Sequence, residues 1–208
     1  MLLVGFAGCS NSTKQLGFKE AQAMFEARGV QPGQPLPELS LVSLEGDPVS
    51  IAQLQADRPL VLVTASLTCN VARRNQTGVD GISKKYGNAV AVIVVYTIDA
   101  HPKGDICPYT GSEWVPRDNE RDEVLVRQPT DQAQRLELAR QFQQRFSDKA
   151  IVLVDTMDDK SWKALGSAPN LGLLVDSRGI VRLRQGWFDA AAMDAAISTT
   201  GISPASLN

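Results

Sequence analysis

Residues 60–65 read Leu-Val-Leu-Val-Thr-Ala and residues 89–96 read Ala-Val-Ala-Val-Ile-Val-Val-Tyr. Neither run alternates with polar residues, so each is a strand covered on both faces, as in a parallel sheet packed between helices. Residues 151–154 form a third strand of this kind. Residues 70–86 read as a helix, weakened by Gly78 and Gly81. Residues 131–146 place Leu136, Ala139, Phe142 and Phe146 on one side of another helix, with Thr130 as its N-cap. Residues 160–165 are a short helix. Strands at 171–175 and 180–184 are joined by Asp176-Ser177-Arg178-Gly179, a hairpin signal, and Asp189 caps a last helix through Ile197. Before the first buried strand, 39–44 and 49–51 pair about Glu45-Gly46-Asp47, and 51–54 is a helical turn. This order predicts an α/β sandwich with a mixed central sheet. Residues 100–129 keep no period and read as a long functional insertion loop with at most short helices.

The chain has 208 residues, 43% apolar and 21% charged, enough to bury one sizeable core. We assign a domain to residues 32–200, a tail to 201–208 and an extension to 1–31. The net charge of −2 and the scattered basic residues offer no stripe for nucleic acid. Arg73-Arg74 and Lys84-Lys85 read as the solvated face of one helix. No stretch has the length to span a bilayer. The opening MLLVGFAGCSN is apolar up to Cys9 and polar after it, and Phe6-Ala7-Gly8-Cys9 resembles the lipobox of bacterial lipoproteins. On that reading Cys9 carries lipid, 1–31 is a truncated signal and polar tether, and the domain works at a membrane surface facing the periplasm or the exterior. The alternative is a stray cysteine on a loosely packed N-terminus of a cytoplasmic protein.

Two cysteines then remain for redox work. Cys69 stands between the strand at 60–65 and the helix at 70–86, where unpaired N–H groups and the helix dipole favour a thiolate. Ser66, Thr68 and Asn70 give it polar neighbours, against the alternative of a core cysteine. Ala72 stands where a C-x-x-C motif would have its second cysteine, which argues against ordinary dithiol exchange. His101, the sole histidine, follows the second buried strand. Neighbouring parallel strands end on one side of a sheet, so Cys69 and His101 meet at one edge, where an imidazole can take the thiol proton. Asp99 could hold that ring in one tautomer if the backbone kinks. The bland reading of His101 is a loop histidine satisfied by backbone. Cys107, in the loop that begins beside His101, is the internal candidate to resolve an oxidised Cys69, or else an unreactive loop thiol.

Ser66-Leu67-Thr68-Cys69 together with Tyr96-Thr97-Ile98-Asp99-Ala100-His101-Pro102, then Gly104-Asp105 and Trp114, resembles the iodothyronine deiodinase family. The resemblance is closer to bacterial members that carry cysteine where the animal enzymes have selenocysteine. It runs from about residue 60 to 188 and takes in Arg127-Gln128-Pro129-Thr130 and Arg184-Gln185-Gly186-Trp187-Phe188-Asp189. It implies a thioredoxin-like three-layer sandwich and a reductive mechanism at Cys69, with His101 as acid/base and Asp99 in place of the family's usual Glu. It also implies that Tyr96, Ser66 and Thr68 belong to the hydrogen-bond network around the reactive atom. Pro169 would sit near the loop that carries a cis-proline facing the active cysteine in thioredoxin-like proteins. Ser66-x-x-Cys69 is similar to the Thr-x-x-Cys of peroxiredoxins. The chain departs from the family in carrying sulfur for selenium and Asn70 where a proline commonly follows.

Three functions are thus expected to compete. The first is a cysteine-dependent, peroxiredoxin-like oxidoreductase, in which Cys69 attacks a peroxide or halogenated small molecule and a thiol, from a thioredoxin-like protein or a small molecule, restores it. The second is true reductive deiodination of thyroxine or another iodinated aromatic. The third is a lipid-anchored, non-catalytic thioredoxin-like binding module. No cofactor is implied, and a lone histidine with separated cysteines gives no metal-ligand spacing. A Cys69 pKa near the free value of roughly 8.5 would favour the binding module, and a catalytic Cys69 is expected to have a depressed pKa that changes when His101 is replaced.

Overall fold

A computed structural model of the protein describes residues 18–202. Cys9 and the ends of the chain lie outside the described residues. In chain order the elements are α1 (Phe18–Glu26), β1 (Leu41–Val42), β2 (Pro48–Val49), α2 (Ile51–Gln55), β3 (Leu60–Ala65), α3 (Asn70–Tyr86), β4 (Ala91–Tyr96), α4 (Arg117–Arg121), α5 (Gln132–Phe146), β5 (Ile151–Asp155), α6 (Lys160–Leu165), β6 (Gly172–Val175), β7 (Val181–Gln185) and α7 (Ala190–Thr199). The sheet runs β2-β1-β5-β4-β3-β6-β7. Its centre, β5-β4-β3, is parallel, and the flanking strands are antiparallel.

The unbroken apolar runs are explained by helices on both faces. Val61, Val63 and Ala65 of β3 and Val92, Val94 and Tyr96 of β4 join the core beneath α3, α5 and α7. Leu60, Leu62, Ile93 and Val95 point the other way, into a second core with Phe25, Ile51 and Leu165. Gly78, which weakens α3 on propensity, is required there: a Cβ would come within 2.7 Å of Ala190 Cβ at the start of α7.

Several expectations shift. Ala89 lies in a 3-10 turn ahead of β4. Asp131, not Thr130, caps α5: its carboxylate accepts the Gln134 N–H at 2.9 Å, while Thr130 donates its N–H to the Gln134 side chain. The larger correction is N-terminal. Part of the supposed tether is α1, with Phe25 and the following Val30 buried at 3% and 7% exposure. Packing therefore begins before residue 32. Among the described residues, no helix is long and apolar enough to cross a membrane.

Candidate active site

The central strands end in step. Ala65 pairs with Tyr96 at the tips of β3 and β4, which sets residues 66–69 beside residues 97–101. Side chains then sew the two loops together. The Leu67 N–H donates to Tyr96 Oη at 3.1 Å, and that hydroxyl donates to Asp99 Oδ2 at 2.9 Å. Asp99 Oδ1 accepts both the Thr68 N–H and the Thr68 hydroxyl, at 3.1 and 2.9 Å. Thr68 Oγ1 in turn accepts the His101 N–H at 3.0 Å, and Ser66 Oγ accepts the Ala100 N–H at 3.2 Å. Ser66, Thr68, Tyr96 and Asp99 are all buried, each with its polar group satisfied.

Cys69 is the N-cap of α3, and its sulfur accepts the Ala72 N–H at 3.4 Å. The side chain is wholly buried. Burial pushes its pKa from 9.0 up to about 11, against the helix N–H groups and the Arg73 charge, which pull it down. This corrects the expectation of a depressed pKa. Buried in this way, Cys69 is a thiol at neutral pH.

His101 is buried too, and its pKa is lowered from 6.5 to about 4, first by burial and then by the Arg73 charge. Its ring does not meet Asp99: both carboxyl oxygens are engaged by Thr68 and Tyr96. Among the described residues no hydrogen bond joins His101 to Cys69 either. The ring instead lies edge-on to Trp114, centroids 4.4 Å apart, with Nδ1 at 3.9 Å from Cys107 Sγ. Asp99 is thus a support for the Cys69 loop, and burial raises its carboxyl pKa. Cys69 and Cys107 are both free. Pro169 is buried, and no cis peptide bond occurs among the described residues. The segment around it is held to β3 by Thr64, whose hydroxyl donates to Ala168 O at 3.0 Å and accepts the Leu171 N–H at 2.8 Å.

A model of the family described as iodothyronine deiodinase matches residues 10–188. The chain belongs to the iodothyronine deiodinase family. No curated relative matches it. Among solved structures, this deiodinase-family chain is similar to a hypothetical protein from Sinorhizobium meliloti, with 14% identity, 86% of this chain and 90% of that chain covered and a TM-score of 0.59. It is also similar to a thioredoxin-like protein from Aeropyrum pernix, at 14% identity over 78% of this chain and 89% of that one, with a TM-score of 0.53. A secreted Mycobacterium tuberculosis disulfide oxidoreductase homologous to E. coli DsbE gives 11% identity, 78% and 96% coverage and a TM-score of 0.50. At such identities the likeness shows the fold, which is thioredoxin-like. Family membership supports a redox function.

Two supports of this deiodinase-family site escape a reading by local pattern. Arg73 is not on the solvated face with Arg74: it is buried, donating to Leu67 O at 2.7 Å, Asn119 Oδ1 at 2.9 Å and Asp122 Oδ2 at 2.9 Å. Its spacing of four from Cys69 puts both on one helix face, a signal available in the sequence. Gln128 accepts the Asp99 N–H and donates to the Asp99 carbonyl, at 3.1 and 2.6 Å, and so fixes the strand end that carries His101. Among the described residues no group of three or more His, Cys, Asp or Glu side chains could hold a metal ion.

Proposed function

We propose that the protein is a thiol-dependent oxidoreductase in which Cys69 attacks a small electrophile and Cys107 is the resolving thiol, with His101 as the acid/base of the cycle. The observation that carries this reading is the chain of contacts from the Cys69 loop through Thr68 to His101 and on to Cys107. With a hydroperoxide, the Cys69 thiol takes one oxygen and becomes a sulfenic acid, and an alcohol or water leaves. The Cys107 thiol then displaces that oxygen as water to give a disulfide. A thioredoxin-like protein or a small thiol supplies the two electrons that return both cysteines to thiols. Because Cys69 rests buried and protonated, substrate entry must coincide with hydration or opening of the insertion over it.

Treating reduced protein with one equivalent of hydrogen peroxide and reading its mass, with and without a sulfenic-acid trap, tests the reading. The expected products are a trapped Cys69 adduct at early times and a Cys69–Cys107 disulfide later. Unchanged protein at stoichiometric peroxide would sink it. Family membership favours a second reading, reductive dehalogenation: the wild type, but not Cys69→Ala, would then release iodide from an iodinated phenol. The same experiments separate both from a non-catalytic binding module, which would give neither product. Lipidation at Cys9 and an extracytoplasmic location belong to this proposal and are tested by the mass of the mature N-terminus.

A further inference from the structure

His101 makes no hydrogen bond to Cys69, yet its ring is not idle. Nδ1 lies 3.9 Å from Cys107 Sγ, within the range of a thiol–imidazole hydrogen bond. Both side chains are buried, with 7% and 0% exposure. Trp114 packs edge-on against the imidazole, with ring centroids 4.4 Å apart. Cys107 is itself fixed by a tight turn: its N–H donates to Ser112 O, and its carbonyl accepts the N–H groups of Thr110 and Gly111. Thr68, the residue before Cys69, accepts the His101 N–H, which ties the loop carrying the pair to the loop carrying the other thiol. Burial raises the Tyr109 pKa, and both thiols lie near enough to add to that rise.

We propose that His101 is the base for Cys107 rather than for Cys69, its Nδ1 taking the Cys107 thiol proton as that sulfur attacks oxidised Cys69. The step rests on the reading of Cys69 as the peroxide-oxidised thiol. In it the Cys107 S–H bond breaks and its proton goes to Nδ1, an S–S bond forms, and the Cys69 S–O bond breaks with its electron pair. The departing hydroxide takes the proton back from the imidazolium and leaves as water. Sulfenic acid and thiol thus give disulfide and water, the oxidising equivalents having come from the hydroperoxide. The tautomer required carries its resting proton on Nε2. The low His101 pKa, caused by burial and then by Arg73, leaves Nδ1 unprotonated at neutral pH and makes the imidazolium a ready donor to the departing hydroxide.

Two measurements test the pairing. In a Cys9→Ser, Cys69→Ser background, alkylation of Cys107 by iodoacetamide reads its reactivity without any contribution from Cys69. His101→Gln is expected to slow it about a hundredfold at neutral pH, at the low end of general-base effects, with the deficit shrinking as hydroxide rises. Trp114→Ala, at a half-exposed position that leaves the core intact, should slow it several-fold. Rates equal to the parent in both variants overturn the proposal, whatever Cys69 does. In the otherwise native chain, peroxide followed by quenching separates the two oxidative steps. His101→Gln should form the Cys69 sulfenic acid at the parental rate and close the disulfide about a hundredfold more slowly. Slowed sulfenic acid formation with normal closure would place His101 on Cys69 and overturn the assignment. If even the wild type forms no sulfenic acid, the peroxide reading fails, while the alkylation rates still decide whether His101 and Cys107 are a pair.

Discussion

Helix and burial pull the Cys69 thiol in opposite directions, and burial wins. A helix N-terminus favours an adjacent anion by about 0.3–1 kcal/mol, up to ~2 in partly buried settings. Removing a charge from water costs several kcal/mol even after the protein relaxes. The balance moves the pKa from 9.0 to about 11, which disfavours the thiolate by roughly 3 kcal/mol. The sign for stability follows. A folded chain that keeps a proton the unfolded chain gives up gains stability below pH 9.0 and loses that gain as pH rises through about 11. In a Cys9→Ser, Cys107→Ser variant, the ultraviolet absorbance of the Cys69 thiolate should appear with a midpoint near 11. A transition at or below the free value would mean that water already reaches the sulfur. The sequence misleads here for a definite reason. Ser66 and Thr68 look like the rim of a wet site, but their hydroxyls are spent on Ala100, Asp99 and His101 inside the protein. Polarity in a sequence shows a need for hydrogen bonds, which buried partners meet as well as water does.

At the scale of elements, the short helix α4 in the insertion ties down both chain neighbours of Cys69 and is expected to be its cover. Asn119 Nδ2 donates to Thr68 O at 2.9 Å, Asp118 accepts from Asn70 at 3.0 Å, and Arg73 reaches both Asn119 and Asp122. These bonds land on both sides of the cysteine. Asn119→Ala removes two of them and leaves the Thr68 carbonyl without that donor, a cost of about 1–3 kcal/mol for a buried group. The melting temperature should fall by roughly 2–4 °C for each kcal/mol lost in a chain of this size. Alkylation of Cys69 should speed up at the same time, because local opening of α4 becomes easier. A lower melting temperature with unchanged Cys69 alkylation would show that α4 is not the cover. The contrast with the strands explains what could be read in advance. The span of β3 follows from its own apolar run, and α3 from the boundary at Cys69 and the last turn before Gly87. The role of α4 depends on Leu67, Thr68, Asn70 and Arg73, some fifty positions away, and no local period announces such partners. The meeting of Cys69 with the His101 loop was legible because parallel strands end on one side. The turn of the His101 ring toward Cys107 was not, since it is set by Trp114 within an aperiodic loop.

The whole molecule depends on a helix that composition alone assigns to a tether. A single buried cation ties α1 to the domain: the Arg184 guanidinium donates to Phe25 O at 2.7 Å, Leu165 O at 3.0 Å, and Val30 O and Glu26 O at 3.3 Å each. Burial lowers the pKa of Arg184, and the Glu26 charge offsets part of that effect. Glu26 also accepts the Gly186 N–H at 2.6 Å, fastening the helix end to the strand that carries Arg184. The junction is tight enough to require glycine at 166, where φ is +103° and a Cβ would sit 2.5 Å from the Arg28 carbonyl oxygen. Arg184 lies in the stretch shared with the deiodinase family, yet its guanidinium bonds backbone carbonyls of α1, the segment after it and α6, so its task is architectural. It closes the second core, in which Phe25 packs edge-on against Tyr109 and Trp187, with centroids 5.7 and 5.6 Å apart. Tyr109 lies two residues beyond Cys107, so α1 buttresses the loop that carries the proposed resolving thiol. Arg184→Ala leaves those carbonyls without their donor and should cost roughly 3 kcal/mol, the upper range for hydrogen bonds to a charged group. Limited proteolysis should then cut between residues 18 and 32, where the wild type is expected to resist, and closure of the Cys69–Cys107 disulfide should slow with it. Resistance equal to the wild type would show that apolar packing of Phe25 and Val30 alone keeps α1 in place.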